Sequence, residues 1–153
     1  YNCRKEAEHR NCGVDLSKEM LELAKDKIEK MGIRNIKTFV MDATNMNFDD
    51  NYFDVVLISL VLHEVEDNIR YKILKEAKRV LKSKGKIIIV EWDKPKKIIQ
   101  KLPFLIIKLS EPSWFKEFLK LDIKEYVKIF SLKVLSEKKY DYTRIFEITK
   151  EKI

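Results

Sequence analysis

Three polar residues close apolar runs: Asp15 after NCGV, Asp42 after IKTFVM, and Ser59 at the end of FDVVLIS. In open α/β sheets, ligands bind outside the carboxyl ends of the strands. An acid that ends a strand there can accept hydrogen bonds from both hydroxyls of a ribose, the role open to Asp15. Asp42, one strand over, is placed to accept from an exocyclic amine of a base. The backbone N–H of Ala43 can donate to the adjacent ring nitrogen, and Leu16 and Met20 can pack on the faces of the base. Either acid alone reads more simply as a turn former or helix cap. The pair, at matching ends of successive strands, is what points to a nucleoside-like ligand.

A second group follows the third run. His63 and Glu64 stand just beyond it, and His63 is a candidate general base for an acceptor that must lose a proton. Packing or capping of the next turn is the simpler role for it, so no catalytic residue is assigned. Trp92 and Asp93 end the fourth run and face the same edge. Trp114, Phe115 and Phe118 can line an acceptor pocket, although aromatics at that spacing more commonly build core. The segment IIQKLPFLIIKL offers a lid or a membrane-surface contact, with ordinary packing as the plainer reading.

These residues need a frame. Ser17 is a good N-cap, and Met20, Leu21, Leu23, Ala24, Ile28 and Met31 follow at helical spacing up to Gly32. Strands are expected at 11–15, 36–41, 53–60 and 86–92. The continuous apolar run 53–60 predicts a central strand covered on both faces. Asp67 is expected to cap a helix facing inward through Ile69, Ile73, Ala77, Val80 and Leu81, with KSKG (82–85) as the turn after it. The alternation strand, helix, strand, loop, strand, helix, strand over 11–92 predicts one parallel sheet with helical crossovers. Beyond it, short helices are expected after Ser113 and at the capping box Asp122-x-x-Glu125. Two antiparallel strands follow, 132–139 and 142–150, around Tyr140-Asp141.

Composition removes several alternatives. The 153 residues suit one domain, and 45% apolar content is ordinary for a globular chain. The three glycines, Gly13, Gly32 and Gly85, are never clustered, which excludes the dinucleotide fingerprint and the phosphate-binding loop. Cys3 and Cys12 make neither a disulfide framework nor a zinc site, so no metal is expected and a reduced, cytoplasmic setting is the default. No apolar run approaches the roughly 18 residues of a membrane span. The charge of +7 comes mainly from lysine, a weak signal for specific nucleic-acid recognition, and none is expected.

GVDLSKEMLELAK, FVMDATNMNF, FDVVLISLVLHEVED and AKRVLKSKGKIIIVEW together resemble the class I S-adenosylmethionine-dependent methyltransferases, in the branch that includes the quinone-biosynthesis enzymes. The resemblance runs from about Cys12 to Trp92. It implies a Rossmann-like, mostly parallel α/β sheet with a C-terminal antiparallel hairpin, and S-adenosylmethionine as methyl donor. It carries Asp15 over as the ribose acid and Asp42 with Ala43 as adenine contacts. It sets Ser59 at the strand end facing the methionine part of the cofactor. A small-molecule or lipid-like methyl acceptor is implied.

Two departures stand out. The family's glycine-rich D-x-G-x-G-x-G-like loop, which precedes the first matched strand, has no counterpart here, and Ser131 stands where the family often has glycine. The chain is therefore expected to be a single methyltransferase domain lacking its N-terminal portion. In it, 1–12 is a remnant helix or loop, 93–130 a helical insert and 131–150 the closing hairpin. The strand expected to be missing belongs mid-sheet, between those ended by Asp15 and Ser59. Its loss predicts weak cofactor binding by the chain alone and a tendency to oligomerise. A non-catalytic remnant or partner subunit is the competing reading. A nicotinamide-dependent oxidoreductase and a basic nucleic-acid or membrane binder rank below both.

Overall fold

A computed structural model of the chain describes residues 11–94 and 113–151. The stretch around RKEAEHR and the segment IIQKLPFLIIKL lie outside the described residues. The chain divides into two compact units between Phe48 and Asp49.

In the first unit, β1 (Asn11–Asp15) and β2 (Ile36–Val40) pair in parallel, from Asn11 opposite Ile36 to Asp15 opposite Val40. Helix α1 (Lys18–Lys30) crosses between them. Its start is fixed by Ser17, whose hydroxyl accepts from the Met20 N–H at 3.1 Å. Its end is a Schellman turn: Gly32, at φ 65°, donates to Glu29 O, and Ile33 donates to Ile28 O. Leu21 is buried on this helix, whereas Met20, Leu23 and Met31 are exposed.

The second unit holds a four-stranded sheet in the order β3-β4-β6-β5. β3 (Phe53–Ser59) runs parallel to β4 (Leu81–Trp92); β6 (Thr143–Lys150) is antiparallel to β4 and to β5 (Leu132–Tyr140). The short link makes β5 and β6 antiparallel, and β6 joins the hairpin to the same sheet as residues 86–92. Helix α2 (Asp67–Val80) buries Ile73, Leu74, Ala77 and Val80, while α3 (Ser113–Phe118) and α4 (Ile123–Lys128) bury Phe115, Phe118, Ile123 and Val127. On one face the two central strands are fully buried: Ile87 and Ile89 on β4 stand opposite Ile148 and Phe146 on β6. Asp122 caps α4 by accepting from Lys124 N and Glu125 N, while Glu125 turns to Lys128 at 2.7 Å.

Four expectations are corrected. Strands 11–92 form two sheets rather than one, because β1 hydrogen-bonds with β2 alone and β3 with β4 alone among the described residues. Nor is β3 covered on both faces among the described residues: Ile58 is buried on one, but Val55 and Leu57 on the other are 54% and 63% exposed. Helix α2 is capped at Glu66 without a side-chain bond, since Asp67 lies inside the first turn and accepts instead from Arg70 and Tyr126. KSKG is not a free turn. β4 already begins at Leu81, opposite Phe53, and pairing resumes at Lys86 opposite Val55, so 82–85 bulge against Asp54.

Candidate functional site

Asp15 and Asp42 meet where the parallel pairing predicts. Met41 N donates to Asp15 O at 3.0 Å, which draws the chain entering Asp42 alongside the end of β1. Both carboxylates are exposed. Asp15 Oδ1 accepts from Ser17 N at 2.9 Å, and Asp42 Oδ1 accepts from Thr44 N at 2.7 Å. These turns fix the orientation of each carboxylate, and the second oxygen of Asp15 has no protein partner among the described residues. The Ser17 hydroxyl donates to Glu19 Oε2 at 2.9 Å, and Glu19's own backbone N–H together with that hydroxyl lowers its pKa. Leu16 and Met20 flank the edge and, among the described residues, stand 70% and 56% exposed. Ala43 follows Asp42 in the turn. This edge offers hydroxyl-accepting carboxylates, a backbone donor and apolar surface, a set that matches an adenosine moiety.

Ser59 belongs to the second unit. It is exposed at the C-terminal end of β3, and Leu60 after it sits at φ 56°, a conformation that costs a non-glycine residue roughly 1–2 kcal/mol. Its assignment to the methionine end of a cofactor rests on the family resemblance.

At the same end of β3 and β4 lies a buried polar cluster. Glu91, fully buried, receives Val61 N at 2.9 Å and Leu62 N at 2.6 Å on Oε1. Its Oε2 is 2.7 Å from His63 Nδ1. His63 is itself buried, edge-on to Phe115 and Trp92 with ring centroids 5.6 and 6.3 Å away. So His63 does not cap the following turn; it is anchored to a carboxylate inside an aromatic box. Phe115 and Phe118 are core, the plainer of their two expected roles, and Trp92 packs against Phe115 and Leu119.

Two buried arginines complete the cluster. Arg70 donates to Leu62 O and Val65 O and pairs with Asp67. Arg144, the cross-strand neighbour of Glu91, donates to Trp92 O, and burial lowers its pKa. Both guanidiniums lie over Phe118, at 5.2 and 5.4 Å from its centroid. Glu91 and Arg144 escaped sequence reasoning. A usable signal existed for Glu91, an acid closing the apolar run KIIIV as Asp15 and Asp42 close theirs. Arg144 gave none, because its partner on β4 is set by the hairpin register. No metal-binding group of acids, histidines and cysteines occurs among the described residues.

Residues 2–89 match the model of a family described as a methyltransferase domain. A demethylmenaquinone methyltransferase of Geobacillus sp. strain WCH70 is 34% identical over 109 residues, covering 71% of this chain and 46% of the relative. A ubiquinone/menaquinone biosynthesis C-methyltransferase of Idiomarina loihiensis is 39% identical over 83 residues, 54% of this chain and 32% of the relative. The chain spans less than half the length of these relatives. Among solved structures, a protein of Pyrococcus horikoshii OT3 superposes with a TM-score of 0.70 at 22% identity, covering 93% of this chain and 72% of that one. An S-adenosylmethionine-dependent methyltransferase of Aquifex aeolicus superposes with a TM-score of 0.65 at 18% identity, covering 90% and 66%. At these identities the superpositions establish the fold, a Rossmann-like α/β architecture.

Proposed function

The chain belongs to the methyltransferase domain family, and on that premise we propose that it binds S-adenosylmethionine and serves methyl transfer to a small, lipid-like acceptor of the quinone type. The observation that carries this reading is the placement of Asp15 at the end of β1, opposite Val40, and of Asp42 just past the end of the register-matched parallel β2, flanked by exposed Leu16 and Met20. Asp15 would hold the ribose hydroxyls; Asp42 and the Ala43 N–H would hold the adenine edge, with Leu16 and Met20 on its faces. The bound cofactor supplies an already activated methyl group on a sulfonium. The protein's task is then mainly to orient donor and acceptor and to exclude water. The acceptor class rests on the quinone methyltransferases among the relatives. The cytoplasm is the proposed location; no helix among the described residues is long and apolar enough to cross a membrane.

The test is calorimetry of the purified chain with S-adenosylmethionine, followed by transfer of a radiolabelled methyl group to demethylmenaquinol. Saturable binding displaced by S-adenosylhomocysteine is expected. Absence of binding and of transfer overturns the proposal. Two observations favour a second reading, a methyltransferase-like chain that is weak or inactive without a partner. The glycines are never clustered, although close backbone approach to a cofactor needs them, and β1 and β3 each pair on one side only among the described residues. A micromolar or tighter dissociation constant from a monodisperse monomer excludes that second reading.

A further inference from the structure

We propose that the outer edge of β2 is a self-pairing surface, on which a second copy of this chain lays its own β2 antiparallel across a two-fold axis. The pairing needs neither cofactor nor catalysis, so it stands or falls apart from the methyl-transfer reading.

Two hydrogen bonds set the phase of the β1–β2 ladder. Asn11 N donates to Asn35 O at 3.2 Å, and Met41 N donates to Asp15 O at 3.0 Å, at the two ends of the parallel register. In a parallel pair, every second residue of a strand turns its backbone groups to the same neighbour. Lys37 and Phe39 therefore face β1, while Ile36, Thr38 and Val40 turn their N–H and C=O groups outward. β2 pairs with β1 alone among the described residues, so these groups form an open strand edge. A cleft of about 490 Å³ follows that edge, lined by the consecutive residues 37–41 and by Asn47 and Phe48. Side chains alternate between the two faces of a strand. A cleft bounded by an unbroken run of residues thus lies beside the strand and not over one face. Space for an added strand is open where the outward backbone groups can receive one.

The residues of this edge select the occupant. Edges that resist pairing carry a charge, a proline or a bulge at their centre. Here Thr38 is central, and β2 runs from Ile36 to Val40 without a register shift. Centred on Thr38, an antiparallel copy sets Thr38 opposite Thr38 and exposed Val40 opposite Ile36, and uses every outward group within the strand. Centred on Lys37, it opposes two lysines and leaves Val40 outside the pairing; centred on Phe39, it leaves Ile36 outside. In the favoured register Lys37 meets Phe39 of the second copy at a non-hydrogen-bonded pair, where side chains come closest. Phe39 is edge-on to Phe48 with ring centroids 6.0 Å apart, an aromatic pair that suits an ammonium. Continued past the strand, the register sets exposed Arg34 opposite exposed Asp42. A two-fold contact repeats each of these pairs, so the opposite charges meet on both sides of the axis.

Sedimentation equilibrium and amide exchange followed by nuclear magnetic resonance test this on the whole chain. The average mass should rise from one chain toward two with concentration. Over about a hundredfold rise in concentration, exchange at Ile36, Thr38 and Val40 should slow several-fold, because mass action reduces the share of single chains. The amides of Lys37 and Phe39, bonded to β1 throughout, should change less. Thr38→Pro removes the central outward donor and none of the donors to β1, and Val40→Lys places a charge on the edge. Each should return the mass to one chain and abolish the concentration dependence, with circular dichroism confirming folding. If the proline variant does not fold, Val40→Lys and Arg34→Asp decide. A chain that stays single while the outward amides exchange freely overturns the proposal. So does protection of those amides in the dilute single chain, which places another segment of the same chain on the edge. A pair of chains whose outward amides stay exposed, or that survives both Val40→Lys and Arg34→Asp, overturns it as well.

Discussion

Asp15 carries the simplest prediction at the scale of single residues. One of its oxygens is committed to Ser17 N, which leaves the other for a ribose hydroxyl. Asp15→Ala should weaken S-adenosylmethionine binding by about 1–3 kcal/mol, the scale of lost charge-assisted hydrogen bonds. Calorimetry checks this, and an unchanged affinity refutes the ribose role. Asp15 and Asp42 were legible in the sequence because each ends an apolar run, and parallel strands bring their ends to one edge. The anchoring of His63 was not legible: Glu91 lies 28 residues away, and only the pairing of β3 with β4 brings it there.

Elements impose their own requirements. Where β4 begins, the bulge at 82–85 closes so tightly that a Cβ on Gly85 would lie 2.8 Å from Asp54 O and 2.7 Å from Leu81 Cδ1. The backbone oxygen cannot give way as a side chain could. Gly85→Ala should therefore cost about 1–3 kcal/mol in urea unfolding, and an unaltered midpoint would contradict the bulge. Ser131, the second departure from the family pattern, does adopt the left-handed conformation that favours glycine, with φ 52°. Helices α2 and α4 are tied by Tyr126, whose hydroxyl donates to Asp67 at 3.0 Å. Burial first, and then this bond, push the phenol up to about 12. Between an ordinary value near 10 and that value, the unfolded chain has lost the proton and the folded chain retains it. Stability should therefore fall as pH rises through this window. Tyr126→Phe should flatten the decline in an unfolding series against pH, and equal slopes for the two proteins would count against the bond.

For the molecule as a whole, burial is unevenly shared. Among the described residues of the first unit Leu21 and Phe48 alone belong to the buried core, whereas β4, β6 and the described helices of the second unit contribute to theirs. Local opening follows such differences. Amides of β1 and β2 should exchange with deuterium faster than those of β4 and β6. S-adenosylmethionine should slow exchange in β1 and β2, because a ligand stabilises the state that binds it. Equal protection across both sheets, or a cofactor effect confined to the second, would contradict the assignment of the adenosine site.

By itself the sequence determined the element order, the caps at Ser17 and Asp122, the hairpin and its sheet, and the edge shared by Asp15 and Asp42. Each depends on periodicity, local capping or the direction of a short connection, all of which act within a few residues. Tertiary structure alone decided that β3 pairs with β4 alone among the described residues, that KSKG bulges into β4, that Glu91 meets His63, and that His63, Arg70 and Arg144 gather around Phe118. Those outcomes depend on which distant backbone groups find partners, and on the register that follows. A buried charge is tolerated only where donors from several elements converge on it, a condition that no local pattern along the chain records.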